Sequence, residues 1–263
     1  MDKKSLENAL EKIARPDKDK IMQGLKEIEP DILNMKEGEL KEAIFAVSSL
    51  FYIDPLEHPD LQEVVDKAIQ IIASLKEKSF PYLLPMMLDS DFKKDFNIAQ
   101  TFGLIGEEAI PALLDAFKKS KDQSQRIFIL YALGKIRNPK VKMALPVLIE
   151  ALGDENIEIR DSAARTIGKT MEIIPPDQLT KDEKSEIFEN LVEKLSDEGA
   201  GVRSKAIRSL GKMARFNHLD EEQIKRLKVI VDRTLGIDES YQWDRAYIVR
   251  KEAQQISDFL EGK

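Results

Sequence analysis

Apolar positions recur at three- and four-residue intervals along most of the chain. Leu6, Ala9, Leu10 and Ile13 mark a first amphipathic face, and Ile21, Met22, Leu25 and Ile28 a second. Leu40, Ile44, Val47, Leu50 and Phe51 give a third, and Leu61, Val64, Val65, Ala68, Ile71 and Ile72 a fourth. No segment alternates with period two between hairpin turns, so no strand is expected. Prolines mark the breaks, at Pro16, Pro30, Pro55, Pro59, Pro139 and the pair Pro175 and Pro176. The ring fits the first turn of a helix and breaks its interior, so each reads as a helix boundary. Thr180 and Glu183 have capping-box spacing, and Asp220 with Gln223 opens a later helix in the same way. The pattern predicts short helices joined by short loops.

The helices repeat. Residues 144–171 and 187–214 superimpose at a constant offset of 43, which places Leu152, Asp154, Arg160, Ala163, Ile167 and Gly168 on Leu195, Asp197, Arg203, Ala206, Leu210 and Gly211. An offset of 34 carries Arg160, Ile167 and Gly168 back to Arg126, Leu133 and Gly134, and a further 31 carries Gly134 to Gly103. Pro81 and Asp89 keep the spacing of Pro146 and Asp154, and Asp244 with Val249 and Arg250 keeps that of the turn aspartate and helix arginine.

On these residues the chain resembles the HEAT-repeat family, including the phycobilin-lyase-like variety found in bacterial and archaeal adaptors. The family pattern is a first helix carrying a proline, an aspartate in the turn, then valine–arginine opening a second helix with small residues inside. Pro146, Asp154, Ile159-Arg160, Ala163 and Gly168 reproduce it, and Asp197, Val202-Arg203 and Ala206 repeat it. Two positions depart from it: Asp95 stands where an arginine belongs, and Ser120 where an aspartate belongs. The resemblance implies an all-α fold, a right-handed α-α superhelix of stacked antiparallel helix pairs. It implies one solenoid over 1–263, with divergent pairs over 1–78, recognisable repeats over 79–217 and a capping pair over 218–263. A lone pair cannot bury both apolar stripes, so its neighbours must close the core. The aspartate and arginine can then bridge successive turns by charge-assisted hydrogen bonds.

Composition narrows the chemistry. The 263 residues are 42% hydrophobic and 34% charged, enough apolar surface for a core on a soluble chain. Without cysteine there is no disulfide, thiolate metal site or thiol nucleophile. His58 and His218 are the only histidines, too few for the repeated His-Glu ligands of iron-dependent HEAT hydroxylases. Gly168-Lys169-Thr170 resembles the end of a phosphate-binding loop, but Ala163 replaces its first glycine and no strand precedes it. No catalytic constellation emerges and no cofactor or metal is expected. A net charge of −7 and a single tryptophan speak against nucleic acid and against a HEAT-like DNA glycosylase. No apolar run spans a bilayer and no leader is visible at Met1, so the reading is cytoplasmic, with no membrane partner.

What remains is binding. Helical projection of 202–215 puts Val202, Ala206, Leu210 and Met213 on a buried arc and Lys205, Arg208, Lys212 and Arg215 on the opposite one. The offsets extend two rows across the repeats, Gln100, Tyr131, Arg165, Arg208 and Leu104, Lys135, Lys169, Lys212. Residues 199–217 hold five basic and no acidic side chains, whereas 172–198 hold nine acidic and three basic. The expectation is a non-enzymatic interaction scaffold whose concave groove takes a protein or peptide, an acidic segment in particular. The plainer alternative is that these cations solvate an exposed helix face. An accessory or regulatory subunit of a lyase-like enzyme system would share the same fold. Ser240 to Tyr247, with Tyr241, Trp243 and Tyr247, reads either as a contact site or as the cap of the last pair.

Overall fold

The computed structural model describes residues 1–88, 91–238 and 242–262. Asp89, expected to share the repeat spacing with Pro81, lies outside the described residues, as do Ser240 and Tyr241. Among the described residues every regular element is helical. They form two compact units, 1–136 and 137–263.

In the first unit, α1 (Lys3–Ile13) pairs with α2 (Lys18–Ile28), and α3 (Glu37–Ser48) with α4 (Gln62–Ser74). The short α5 (Phe80–Met86) precedes α6 (Phe92–Ile105), and α7 (Ile110–Lys119) pairs with α8 (Gln123–Leu133). The second helices α2, α4, α6 and α8 pack on one another in chain order. Each predicted face turns inward: Leu6, Ala9 and Ile13, then Ile21, Leu25 and Ile28, then Leu40, Ile44, Val47, Leu50 and Phe51 are buried. Val64, Val65, Ala68, Ile71 and Ile72 follow. Residues 1–78, where only periodicity was legible, thus form the same kind of pair as the rest.

The second unit holds α9 (Leu145–Ala151) with α10 (Ile157–Met171), α11 (Lys181–Glu193) with α12 (Ala200–Arg215), and α13 (Glu221–Leu235) with α14 (Tyr247–Leu260). Prolines sit in the first turn of α5, α7 and α9. Side chains cap the exposed helix starts: Asn156 accepts from the amides of Glu158 and Ile159, and the Thr180–Glu183 and Asp220–Gln223 boxes both close. Val202, Ala206, Leu210 and Met213 are buried, as the projection required.

Second helices approach closely where the repeat carries glycine. A Cβ on Gly211 of α12 would meet Ile256 Cγ1 of α14 at 2.6 Å, and one on Gly168 of α10 would meet Ser209 Cβ of α12 at 3.0 Å. The buried Ser209 hydroxyl uses this proximity to donate to the Ala164 carbonyl at 2.7 Å, tying α12 to α10. Arginines lock the turns. Arg160 Nη1 donates to the carbonyls of Asp154 and Glu155, while Nε and Nη2 reach the Asp197 carboxylate at 2.7 and 3.1 Å. Arg203 repeats this one pair later, holding the Asp197 and Glu198 carbonyls and the Asp244 carboxylate at 2.6 and 3.0 Å. Arg250 Nη1 closes the series on the Asp244 carbonyl.

The departures in the first unit take other forms. At the start of α6, Lys94 and Asp95 are both fully buried, 3.7 Å apart, where the later repeats place the clamping arginine. At Ser120 the hydroxyl accepts from the Asp122 amide, and Asp122 in turn caps α8 through the Gln125 amide.

The close approach at Gly211 leaves no room for a methyl group without displacing Ile256. Gly211→Ala should lower the unfolding free energy by about 1–3 kcal/mol, as overpacking does. Ile256→Ala, which removes the Cγ1 and Cδ1 atoms that the new methyl would meet, should combine with it at less than the sum of the two single losses, measured by urea denaturation.

Candidate functional site

The second helices of the second unit present one continuous charged face. Six of the predicted residues stand on it: Arg165 and Lys169 on α10, and Lys205, Arg208, Lys212 and Arg215 on α12. Acidic side chains from outside residues 199–217 share this face. Asp161, Glu172 and Glu252 project between the cations. Arg165 Nη2 donates to Asp161 at 2.9 Å, and Lys205 Nζ lies 3.9 Å from the same carboxylate. Arg208 grips Glu252 with two bonds of 2.7 and 2.5 Å, and Lys212 meets Glu172 at 2.6 Å, with Arg137 3.4 Å from Glu172. The acidic partners come from one turn back on α10, from its end, and from α14. Asp161 was readable from its i, i+4 spacing to Arg165; the other two needed the packing.

Burial and charge set the ionisation of this network. Burial raises the Glu172 carboxyl, but the bond from Lys212 and the nearby charges of Lys212 and Lys169 outweigh it, so it titrates below the ordinary range. Glu252 is lowered chiefly by its bond from Arg208. Lys212 is also lowered: its burial, with repulsion from Lys169 and Arg208, exceeds what Glu172 restores. The 2.6 Å contact joins the two as an ion pair.

Other cations on the face have no carboxylate within ion-pair distance among the described residues: Lys169, Arg215 and, on α14, Lys251. Arg215 rests on the Gln255 carbonyl at 3.3 Å and over the Phe259 ring at 5.3 Å. Between α12 and α14 lies a shallow pocket of about 270 Å³ lined by Arg208, Lys212, Arg215, Lys251 and Glu252. Four cations and one acid line it, with Arg208 and Lys212 already engaged to Glu252 and Glu172.

Tyr131 and Lys135 belong to the first unit. There the Lys135 ammonium sits 4.7 Å from the Phe96 ring and 4.9 Å from Tyr131, whose rings lie 5.7 Å apart. Trp243, in the loop before α14, is 56% exposed. Arg250 stacks on it at 4.5 Å, and its Cβ fits against Gly236, the left-handed C-cap of α13. The next residue, Asp244, is the anchor of Arg203.

His218 is a core residue. It is buried, and its Nε2 lies 2.9 Å from the Met171 carbonyl, joining the end of α12 to that of α10. Among the described residues no three His, Asp or Glu side chains gather in a metal-binding group, and no helix is long and apolar enough to cross a membrane.

Comparison with known proteins fits this geometry. The structure is similar to the complex of CpcE and CpcF of phycocyanin lyase from Nostoc sp. PCC7120, with a TM-score of 0.53 and 22% identity over 68% of this chain and 98% of that one. It is similar also to Kap121p, alone and bound to Ste12p, with a TM-score of 0.60 in both cases. Identity there is 14% and 13%, over 98% of this chain but 29% of Kap121p. These likenesses define the class of fold, the HEAT/armadillo α-solenoid. A family profile described as HEAT repeats matches residues 110–181. No curated protein matches the sequence.

Two expectations follow from the ionisation. Burial pushes His218 below its ordinary value of 6.5, so the unfolded chain takes up that proton first and stability falls as pH drops below 6.5. The carboxyls of Asp197, Asp244, Glu172 and Glu252 lie below their ordinary 3.8 or 4.5, so their contribution is full above those values and lost as pH falls through their lower folded ones. Urea midpoints between neutral and strongly acid pH should therefore decline in two stages, and His218→Gln should remove only the first. Trp243→Ala, which deletes an exposed cation–π contact, should cost about 0.5–1 kcal/mol in the same assay.

Proposed function

We propose that this protein is a non-enzymatic interaction scaffold, and that the face of α10, α12 and α14 binds an acidic segment of another protein. One observation carries the reading: Lys169, Arg215 and Lys251 stand on a face whose other cations are already paired, so its surplus charge is positive. A net-acidic chain that concentrates unpaired cations on one face is arranged to attract carboxylates there. The fold suits the role, since stacked repeats offer extended faces to partners. The likeness to CpcE and CpcF is one of fold, and the accessory-subunit alternative rests on that likeness alone.

The arrangement also decides which substitutions test it. Reversing Arg208 or Lys212 would strand Glu252 or Glu172 beside a like charge and endanger the fold. Reversing Lys169, Arg215 and Lys251 together leaves both of those ion pairs in place. The triple Glu variant should fold, with a modestly lower melting temperature, because Arg215 gives up its contacts to Gln255 and Phe259 and Glu172 loses the nearby charge of Lys169. It should bind a fluorescein-labelled Asp/Glu-rich peptide roughly tenfold more weakly than the natural chain, a loss of about 1.4 kcal/mol. The natural chain's affinity should fall with added salt. Equal binding by both proteins would remove the basis for this reading.

A further inference from the structure

The second-helix face of the first unit has a different character. Phe92, at the start of α6, is 74% exposed, and Leu56, in the loop after α3, is 92% exposed. They do not stand singly, as exposed apolar residues usually do. Phe92 stacks on Phe96 at 6.5 Å and meets Phe128 of α8 edge-on at 5.9 Å. Phe96 continues the row to Tyr131. Between this row and α4 opens a pocket of about 410 Å³ with walls of Ile53, Pro55, Leu56, Ile69, Phe92 and Phe96. Its size lies in the range of ligand-binding cavities, and a connected apolar surface of this kind marks an interaction site.

The rim is acidic. Lys93 Nζ sits between Asp54 at 3.0 Å and Glu57 at 3.4 Å, and one ammonium cannot neutralise both. Asp66, across the pocket on α4, accepts from the neutral Gln62 amide at 2.8 Å. Asp54 and Asp66 thus line the pocket, with Glu57 beside them, against Lys93 at the rim and Lys135 over the Phe96 ring. Asn97, in the pocket lining, is already committed, donating to the Phe51 carbonyl at 2.9 Å. The apolar walls are left for an anchor and the rim for charge.

We infer that this pocket is a second docking site, which takes a bulky apolar side chain of a partner protein flanked by lysine or arginine. Aromatic walls suit the apolar anchor, and the rim carboxylates and exposed ring faces both favour a neighbouring cation. Its preference is thus opposite to that proposed for the charged face of the second unit, and it stands independently of that proposal.

The test uses the full chain and short labelled peptides that carry one central Trp, Phe or Leu between Lys/Arg, Ser/Gly or Asp/Glu flanks. Binding is read by fluorescence anisotropy. The natural chain should favour basic over acidic flanks by about tenfold or more. Leu56→Ser, at an exposed position, should weaken binding of every apolar-anchored peptide without changing the melting temperature, and Phe92→Ser should weaken it as well, with a small drop in melting temperature from its lost ring contacts to Phe96 and Phe128. Asp66→Lys should erase the preference for basic flanks. The triple reversal of Lys169, Arg215 and Lys251 should leave all of this untouched, so the two sites are judged separately. Equal affinity for acidic and basic flanks, no binding of any anchored peptide, or unchanged binding by both Ser variants would each overturn the inference.

Discussion

The close contact of one second helix on the next sets the conditions for everything else in the second unit. A solenoid has no strand ladder and no long-range closure, so each pair is held only by its neighbours. Gly168 and Gly211 bring α10, α12 and α14 near enough for the Ser209 hydroxyl to reach the Ala164 carbonyl. The arginine clamps hold the register that this contact requires. Arg160 and Arg203 each grip two carbonyls of their own turn and the carboxylate of the next, so one turn cannot shift without its neighbour. These pairs are nearly buried and satisfied at several atoms, the condition under which a desolvated ion pair is tolerable.

The same closeness shapes the charged face. With the helices this near, side chains some forty residues apart become neighbours: Arg208 reaches Glu252, and Lys212 reaches Glu172. Pairing there is a by-product of packing, and it leaves as functional candidates the cations that packing does not use. Lys169, Arg215 and Lys251 are therefore more informative than the larger basic cluster around them. A charge held in an internal pair costs energy to expose to a partner; one already facing water needs no such exchange.

The fold was legible because its rules are local and periodic. The apolar stripes, the first-turn prolines, the caps at Thr180 and Asp220, and the aspartate–arginine spacing each need only a few residues of context. Even the clamps were readable, since a repeated offset of 43 makes Asp197 the natural partner of Arg160. The candidate site was legible only in outline. Counting charges by segment assigned Glu172 to an acidic stretch remote from Lys212, because a linear count does not register which helices touch. The pocket beside Phe92 was missed for a similar reason. It joins a loop at 53–56 to α4 and α6, and no motif links those segments along the chain. Phe92 and Phe96 do keep i, i+4 spacing, but by pattern alone such a pair is indistinguishable from a core stripe.

Equivalent positions of one scaffold thus carry unlike chemistry. The repeat offsets relate Gln100 and Tyr131 to Arg165 and Arg208, and all four stand on second helices. Around Tyr131 the neighbours are Phe96 and Lys135, in an aromatic stack; around Arg208 they are Glu252 and Lys212, in an ion-pair network. The buried arc cannot vary in this way, since it must keep Ala163, Ala206 and the glycines to let the helices meet. Selection for partners is confined to the opposite arc, where substitution costs the core nothing. Two chemically opposite surfaces on one architecture are what that division of constraint allows, and they explain why the fold alone does not name the partner.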